Sequence, residues 1–140
     1  MRALIDTCII IDALQNREPF SSDAQAIFLL AANQRFNGYI TAKSVTDIYY
    51  LMHRATHNDK DSRTLLSNLF KLFNPVDTTG IDCKKAIPSV VSDFEDAVMI
   101  ETANREEMDC IVTRNIHDYS KSNIKIYSPK EFIELVDFYE

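Results

Sequence analysis

The chain has 140 residues, of which 46% are hydrophobic, with only two Gly and four Pro. This composition is typical of one globular domain and argues against a disordered or linker-rich chain. The formal net charge of −6 disfavours a broad electrostatic surface for nucleic acid or for an anionic membrane, so a polyanionic substrate would need local help, such as bound metal ions.

Strand-like and helix-like segments alternate along the chain. Short apolar runs predict five strands, with Pro75 weakening the third, at residues 2–6, 38–41, 72–76, 109–113 and 124–127. Helical periodicity predicts seven helices, at residues 7–15, 23–34, 45–55, 63–72, 81–87, 93–108 and 129–139. The alternation predicts an α/β fold in one domain of residues 1–140, with a mainly parallel, roughly five-stranded sheet in a three-layer α/β/α arrangement. The order of the strands cannot be read from it.

Three helix starts carry capping signals. Residues 128–131, SPKE, place Ser at the N-cap, Pro at the first helical position and Glu at the third. The S-x-x-E pattern at 92–95 predicts a second capping box, and residues 44–47, SVTD, a version with a shorter acid.

Cysteine spacing and hydropathy limit the cellular compartments in which we expect the protein. Cys8, Cys83 and Cys110 are an odd number without C-x-x-C spacing, which indicates neither a disulfide framework nor a zinc site. The N-terminal apolar run is broken by Asp6, and no later run approaches the roughly 18 apolar residues of a membrane span. We therefore expect a cytoplasmic protein with no membrane partner.

Polar residues follow several predicted strand ends. In a parallel α/β sheet, helix N-termini and strand C-termini share one edge, where ligands bind. The predicted topology brings five candidate site residues to that edge, namely Asp6, Asp47, Asp96, Asn115 and Asp118.

The stretch SDFEDAVMIETA contains three acids with different surroundings. Acids in a first helical turn stabilise the helix dipole by about 0.3–1 kcal/mol, which accounts for Glu95 as part of the cap. Asp96 instead shares a helix face with the apolar residues Met99, Ile100 and Ala103. An unpaired carboxylate on such a face costs several kcal/mol, so Asp96 needs a partner. Asp93 borders the same face, and its role stays open between the cap and the site.

The other candidates have structural alternatives. Asp6 could be the N-cap of the helix that follows it, and Asn115 and Asp118 could be turn or capping residues. Several carboxylates on one edge repel each other, however, and a divalent cation would offset that repulsion. Oxygen ligands without a His or Cys cluster suit Mg²⁺ or Mn²⁺ rather than zinc.

Four segments, in order and spacing, resemble those of PIN domains: LIDTCIIIDAL, TAKSVTDIYYL, DFEDAVMIETA and CIVTRNIHDY. PIN domains are small metal-dependent ribonucleases that include the toxins of VapBC-type toxin–antitoxin pairs. The resemblance covers about residues 2–128. It implies catalytic acids at Asp6, Asp47, Asp96 and Asp118, of which Asp6, Asp96 and Asp118 are metal ligands. Thr7 and Thr113 match polar residues that line the site in this family, and Asn115 is a close accessory. Asp93 is an accessory candidate whose role stays open.

The resemblance also implies a reaction and partners. The reaction is hydrolysis of RNA phosphodiester bonds with Mg²⁺ or Mn²⁺, and in a two-metal site the ions lie about 3.5–4 Å apart. The implied partners are the RNA substrate, a cognate antitoxin and a second copy of the chain in a homodimer. Candidate contacts to the RNA backbone, for which ordinary solvated charge is the alternative, are Lys43, Arg54, Arg114 and Arg17.

The chain departs from the usual PIN pattern at three positions. Cys8 stands where Asn or Ser is usual, Asp47 where Glu is common, and Tyr119 where Phe is common. The shorter side chain of Asp47 would favour contact with a metal through water.

Two other functions compete. A phospho-acceptor receiver domain has a similar architecture and would use Asp77 and Lys130, but Asp6 lacks the acidic neighbour that a receiver needs. It also leaves Asp96 unexplained. A catalytically inactive PIN-fold module that binds RNA or a partner is the second alternative, against which stands the presence of all four acids.

Overall fold

The computed structural model describes residues 1–119 and 122–139, apart from the side chain of Asp118. In this part of the chain the strands are β1 (Arg2–Ile5), β2 (Asn37–Thr41), β3 (Phe73–Val76), β4 (Cys110–Val112) and β5 (Lys125–Tyr127). The α-helices are α1 (Thr7–Leu14), α2 (Ser21–Ala32), α3 (Ala42–Thr56), α4 (Asp59–Leu69), α5 (Gly80–Ala86), α6 (Phe94–Arg105) and α7 (Pro129–Phe138). A short 3₁₀ helix, Ile116–Tyr119, follows β4.

The five strands form one parallel sheet in the order β3-β2-β1-β4-β5. The chain first builds outwards from β1 to β3 and then returns to the other side of β1 with β4. This reversal leaves a crevice between the C-terminal ends of β1 and β4, where open α/β sheets bind their ligands.

Side-chain alternation along the strands separates the two helical layers. In β1, Ala3 and Ile5 pack into the core formed with α1, α2, α3, α4 and α7, while Leu4 packs against Met99 and Ile100 of α6 on the other face. Helix α5 packs against α6. The predicted three-layer α/β/α class with a five-stranded parallel sheet is confirmed. None of the helices in the described part of the chain combines the length and apolar character needed to cross a membrane.

The predicted capping box of α7 is present. The amide of Ser128 donates to Glu131 Oε2 at 2.8 Å, and the amide of Glu131 donates to Ser128 Oγ at 3.1 Å, with Pro129 at the start of the helix.

The other two predicted caps are wrong. The N-cap of α6 is Asp93, whose Oδ1 accepts from the amide of Asp96 at 3.0 Å. Asp caps as well as Ser does, and a start one residue later puts Asp96, not Glu95, at the third helical position. The N-cap of α3 is Thr41, at the end of β2, so Ser44 lies inside the helix and Asp47 in its second turn.

A buried carboxylate, that of Asp82, joins α5 to α6. Asp82 forms a capping box with Thr79, and its carboxylate also accepts from Thr102 Oγ1 at 3.2 Å and from Arg105 Nε at 3.0 Å. Burial raises the pKa of Asp82, but the hydrogen bonds from Arg105 and Thr79 outweigh it and hold the pKa below its usual value.

We expect this carboxylate to make the protein acid-sensitive. Because its pKa is lower in the folded chain than in the unfolded chain, Asp82 contributes stability above about pH 4, and that contribution is lost as the pH falls through the folded-state pKa. Urea unfolding of the wild type and of Asp82→Asn at pH 7 and pH 3 measures it. The wild type should lose more unfolding free energy than the variant over this range, and equal losses would contradict the assignment.

Candidate active site

Asp6 and Thr113 face each other at the crevice between β1 and β4. Each residue directly follows its strand, and the amide of Asp6 donates to the carbonyl oxygen of Val112 at 2.9 Å. The hydroxyl of Thr113 donates to Asp6 Oδ2 at 2.7 Å. Since Thr113 is fully buried, this hydrogen bond fixes the orientation of the carboxylate.

Asp6 occupies the N-cap position of α1, but its side chain makes no capping hydrogen bond. Burial raises the pKa of its carboxyl group, the hydrogen bond from Thr113 opposes this, and the nearby charge of Glu95 adds to the rise. A half-buried carboxylate in such surroundings favours a neighbouring cation.

Asp96 lies in the first turn of α6 and has the partner that the sequence required. The Tyr119 hydroxyl donates to Asp96 Oδ1 at 3.0 Å and lies 3.2 Å from Met99 Sδ. Burial raises the pKa of Tyr119, and the charges of Asp6 and Asp96 both add to the rise. The hydroxyl therefore stays protonated as a donor, and both carboxylates lie within electrostatic reach of it.

Lys43 forms two ion pairs at the solvent-facing side of the crevice, which we call its mouth. Its Nζ lies 2.8 Å from Asp47 Oδ2 on α3 and 3.0 Å from Glu95 Oε1 on α6, so it joins the two helical layers across the sheet edge. Desolvation lowers the pKa of Lys43, but these two carboxylates outweigh it and raise the pKa overall. Glu95, predicted only as a capping residue, thus belongs to the rim of the site.

A chain of hydroxyl groups ties α1 to α3 behind this rim. Thr7 Oγ1 donates to Ser44 Oγ at 2.7 Å, and Ser44 Oγ lies 2.8 Å from Thr41 Oγ1. The hydroxyl of Thr7 is therefore used to position the start of α3, on which Asp47 lies.

Arg114, a candidate RNA contact, is paired with a buried acid. Its Nε donates to Asp12 Oδ2 at 2.7 Å and its Nη2 to Asp12 Oδ1 at 3.3 Å, while the guanidinium lies 4.3 Å from the centre of the Phe20 ring. The pair fixes the segment after β4 to α1, which makes Arg114 a structural residue first.

The remaining basic candidates lie away from the crevice. Arg54 is exposed in the last turn of α3, about 18 Å along the helix axis from its start. Arg17 is exposed beyond the end of α1, and its Nε donates to Gln15 Oε1 at 3.2 Å. The structure brings neither to the acids.

The segment after β4 carries the last two candidates. The amide of Asn115 donates to Thr113 Oγ1 at 3.1 Å, and its side chain is exposed. Asp118 belongs to the 3₁₀ helix, and its side chain is not among the parts of the chain that the structure describes. Its role as a ligand stays a prediction.

The donors at the crevice fit a hard cation, although the acids do not all converge. Among residues 1–119 and 122–139, without the Asp118 side chain, no three Asp, Glu, His or Cys side chains form a group that could hold a metal ion. Asp47 pairs with Lys43, while Asp6, Asp96 and the hydroxyl of Thr113 provide oxygen donors of the kind that Mg²⁺ and Mn²⁺ prefer.

Comparison with known proteins identifies the family. The family model of the PIN domain matches residues 2–117. The chain belongs to the PIN domain family. The predicted resemblance is thereby confirmed. No curated protein matches the sequence.

Solved structures show the same PIN fold. A toxin–antitoxin complex from Klebsiella pneumoniae contains a chain that is 20% identical, with a TM-score of 0.66 over 91% of this chain and 97% of that one. VapBC-1 from nontypeable Haemophilus influenzae matches at 13% identity and a TM-score of 0.67, over 93% and 99% of the two chains. FitAcB from Neisseria gonorrhoeae matches at 17% identity and 0.66, over 91% and 98%.

The strand order of this PIN domain does not suit the receiver alternative. A receiver places β3 beside β1, in the order 2-1-3-4-5. Here β2 separates β3 from β1, so Asp77, just after β3, lies two strands away from Asp6. Moreover, the carbonyl oxygen of Asp77 is bound by Arg105.

Proposed function

We propose that this PIN domain is a Mg²⁺- or Mn²⁺-dependent endoribonuclease, which hydrolyses RNA phosphodiester bonds. The observation that carries the proposal is that Asp6 and Asp96 both lie near the Tyr119 hydroxyl, beside the strand-order switch. Asp6 is held by Thr113 and Asp96 by Tyr119, and both charges act on the Tyr119 hydroxyl. Two carboxylates with fixed orientation in a half-buried crevice supply negatively charged oxygen ligands for a catalytic cation.

The cation would be held by Asp6 and Asp96, with Asp118 as the third ligand that the family pattern implies. When bound, it would supply an activated water as nucleophile and stabilise the charge on the leaving oxygen. Asp47, the fourth catalytic acid of the pattern, would act through water from its place beside Lys43.

The other side chains orient the two carboxylates and offset the negative charge around them. The Thr113 hydroxyl sets the orientation of Asp6, and the Tyr119 hydroxyl that of Asp96. Lys43 offsets the negative charge of Asp47 and Glu95 at the mouth, where an RNA phosphate would approach. Asn115, which is exposed beside Thr113, would contact the substrate.

The proposal extends to partners. The similar solved chains include one from a toxin–antitoxin complex and one from VapBC-1, which supports an antitoxin as the partner of this chain and a role as the toxin of a pair. We place this pair in the cytoplasm. A homodimer is supported by exposed apolar side chains on and after α5, where Ile81, Ile87 and Val90 are 60%, 73% and 69% exposed.

The test is cleavage of a set of structured RNAs by the purified protein. We expect cleavage with Mg²⁺ or Mn²⁺, no cleavage with EDTA, and recovery when the ion is restored in excess. The products should carry a 3′-hydroxyl and a 5′-phosphate. Cleavage that EDTA leaves unchanged would overturn the metal dependence. Binding of RNA and metal without cleavage of any RNA would favour the inactive PIN-fold module.

A further inference from the structure

A mostly apolar pocket of about 340 Å³ adjoins the candidate active site. It lies between α6 and the segments that follow β2 and β3, on the side of the crevice away from β4. Its walls include Thr78, Cys83, Val98 and Met99. At the rim stands Phe94, which is 52% exposed although it is a large aromatic side chain at the start of a helix.

The pocket is continuous with the acid crevice. Lys43 and Glu95 line the pocket, and the same two side chains form the ion pair at the mouth of the crevice. The charge of Glu95 also acts on Asp6. A molecule bound at the acids therefore has this pocket as its immediate neighbour.

We propose that the pocket binds one unpaired nucleobase of the RNA substrate, next to the phosphate that is cleaved. This inference rests on the proposed ribonuclease function and deepens it by naming a binding site for one base of the substrate. A base stacked inside a duplex would have to leave the helix to reach the pocket.

The chemistry of the pocket favours a base over other occupants. Every nucleobase has an aromatic face, and an exposed ring such as that of Phe94 is the group on which proteins stack unpaired bases. The apolar walls formed by Val98 and Met99 suit the flat face. The Thr78 hydroxyl lies 3.2 Å from Thr102 Oγ1, and its oxygen can still accept a hydrogen bond from the polar edge of the base. Lys43 lies beside the pocket, where the adjoining phosphate would bind. The pocket and Lys43 together therefore match the aromatic base and the anionic phosphate of one nucleotide.

Cys83 provides a reporter that requires no substitution. It is exposed and lines the pocket, whereas Cys8 is half-buried and Cys110 is buried. The experiment measures the rate at which N-ethylmaleimide modifies Cys83, by mass spectrometry, with EDTA present to suppress cleavage. A ten-nucleotide single-stranded RNA should slow the modification. The matching oligonucleotide without bases, and a duplex of the same sequence, should not.

Substitution of Phe94 tests the stacking contact. Phe94→Ala should weaken binding of the single-stranded RNA about tenfold and leave binding of the baseless oligonucleotide unchanged. Phe94→Tyr should restore the wild-type affinity. The matched control is Phe138→Ala, since Phe138 is an exposed aromatic at the end of α7, on the opposite edge of the sheet, and it should change neither affinity.

The outcomes separate this inference from the ribonuclease proposal. Equal affinities of the wild type and Phe94→Ala, together with unprotected Cys83, would overturn the base pocket even if the wild type cleaves RNA. A wild type that cleaves no RNA would overturn the nuclease, whereas Phe94-dependent binding and Cys83 protection would still support the pocket.

Discussion

Replacing Asp96 with Asn is expected to lower the rate of RNA cleavage by about 100- to 1,000-fold, the loss typical of removing one charge-stabilising group from an active site. The fold should be unaffected, because the amide oxygen of Asn can still accept the hydrogen bond from the Tyr119 hydroxyl. Asn cannot supply the negative charge that would hold a divalent cation beside Asp6. Cleavage assays with saturating Mg²⁺ or Mn²⁺ measure the effect.

Asp93→Asn is the matched control. It removes the same charge from the same end of α6, but Asn is as good an N-cap as Asp and the residue is exposed. This variant should keep wild-type cleavage and thermal stability. If both variants lose activity equally, the important quantity is the negative charge at the helix end. If Asp96→Asn keeps full activity, Asp96 is not a catalytic ligand.

Replacing Arg114 with Ala should have the largest effect on stability. The carboxylate of Asp12 is 2% exposed, and Arg114 is the cation that compensates it. Breaking such a pair from one side costs about 3 kcal/mol, the low end of the range for buried pairs, because the guanidinium is partly exposed. The contact with the Phe20 ring adds about 0.5–1 kcal/mol. Urea unfolding at pH 7 measures the loss.

Two further variants show whether the loss comes from the unpaired acid. Arg17→Ala removes an exposed Arg beyond the end of α1 and should change the free energy of unfolding by less than about 0.5 kcal/mol. The double replacement Asp12→Leu with Arg114→Met removes both charges and should recover most of the stability lost in Arg114→Ala. If the double variant is as unstable as Arg114→Ala, the pair itself is not the source.

The predicted elements followed from local pattern, while their arrangement did not. Each strand and helix was visible because apolar spacing changes between periods of two and 3.6 along the chain. The order of the strands depends on which strand adds to the free side of β1. That choice is made by contacts such as Ile5 against Val112, more than 100 residues apart, which leave no local pattern.

The site was predictable where a residue broke its local pattern. Asp96 was found because a carboxylate on an apolar helix face requires a partner, and the structure supplies Tyr119. The S-x-x-E pattern at 92–95 predicts Ser92 as the N-cap and so assigns Glu95 to the cap rather than to the site. The helix starts one residue later, so Glu95 cannot reach back to cap it and contacts Lys43 instead.

The pair of Asp12 and Arg114 was missed for a different reason. The two residues are 102 positions apart, and nothing near Arg114 indicates that its partner is buried. The available signal was Asp12 itself, a single acid within the apolar run from Cys8 to Leu14. A buried charge in such a run has to be compensated by a group of opposite charge. An Arg that is distant in the sequence can supply that group.

The parallel pairing of β1 with β4 also determines at what stage of synthesis and folding the crevice can form. Asp6 is synthesised before the residue that orients it, because the hydroxyl belongs to Thr113, 107 positions later. A growing chain therefore contains Asp6 well before the strand that completes the crevice. Closure across so long a loop is slow compared with local helix formation. The crevice can form only after β4 has been synthesised, so a chain interrupted before β4 has α1 to α6 but no crevice.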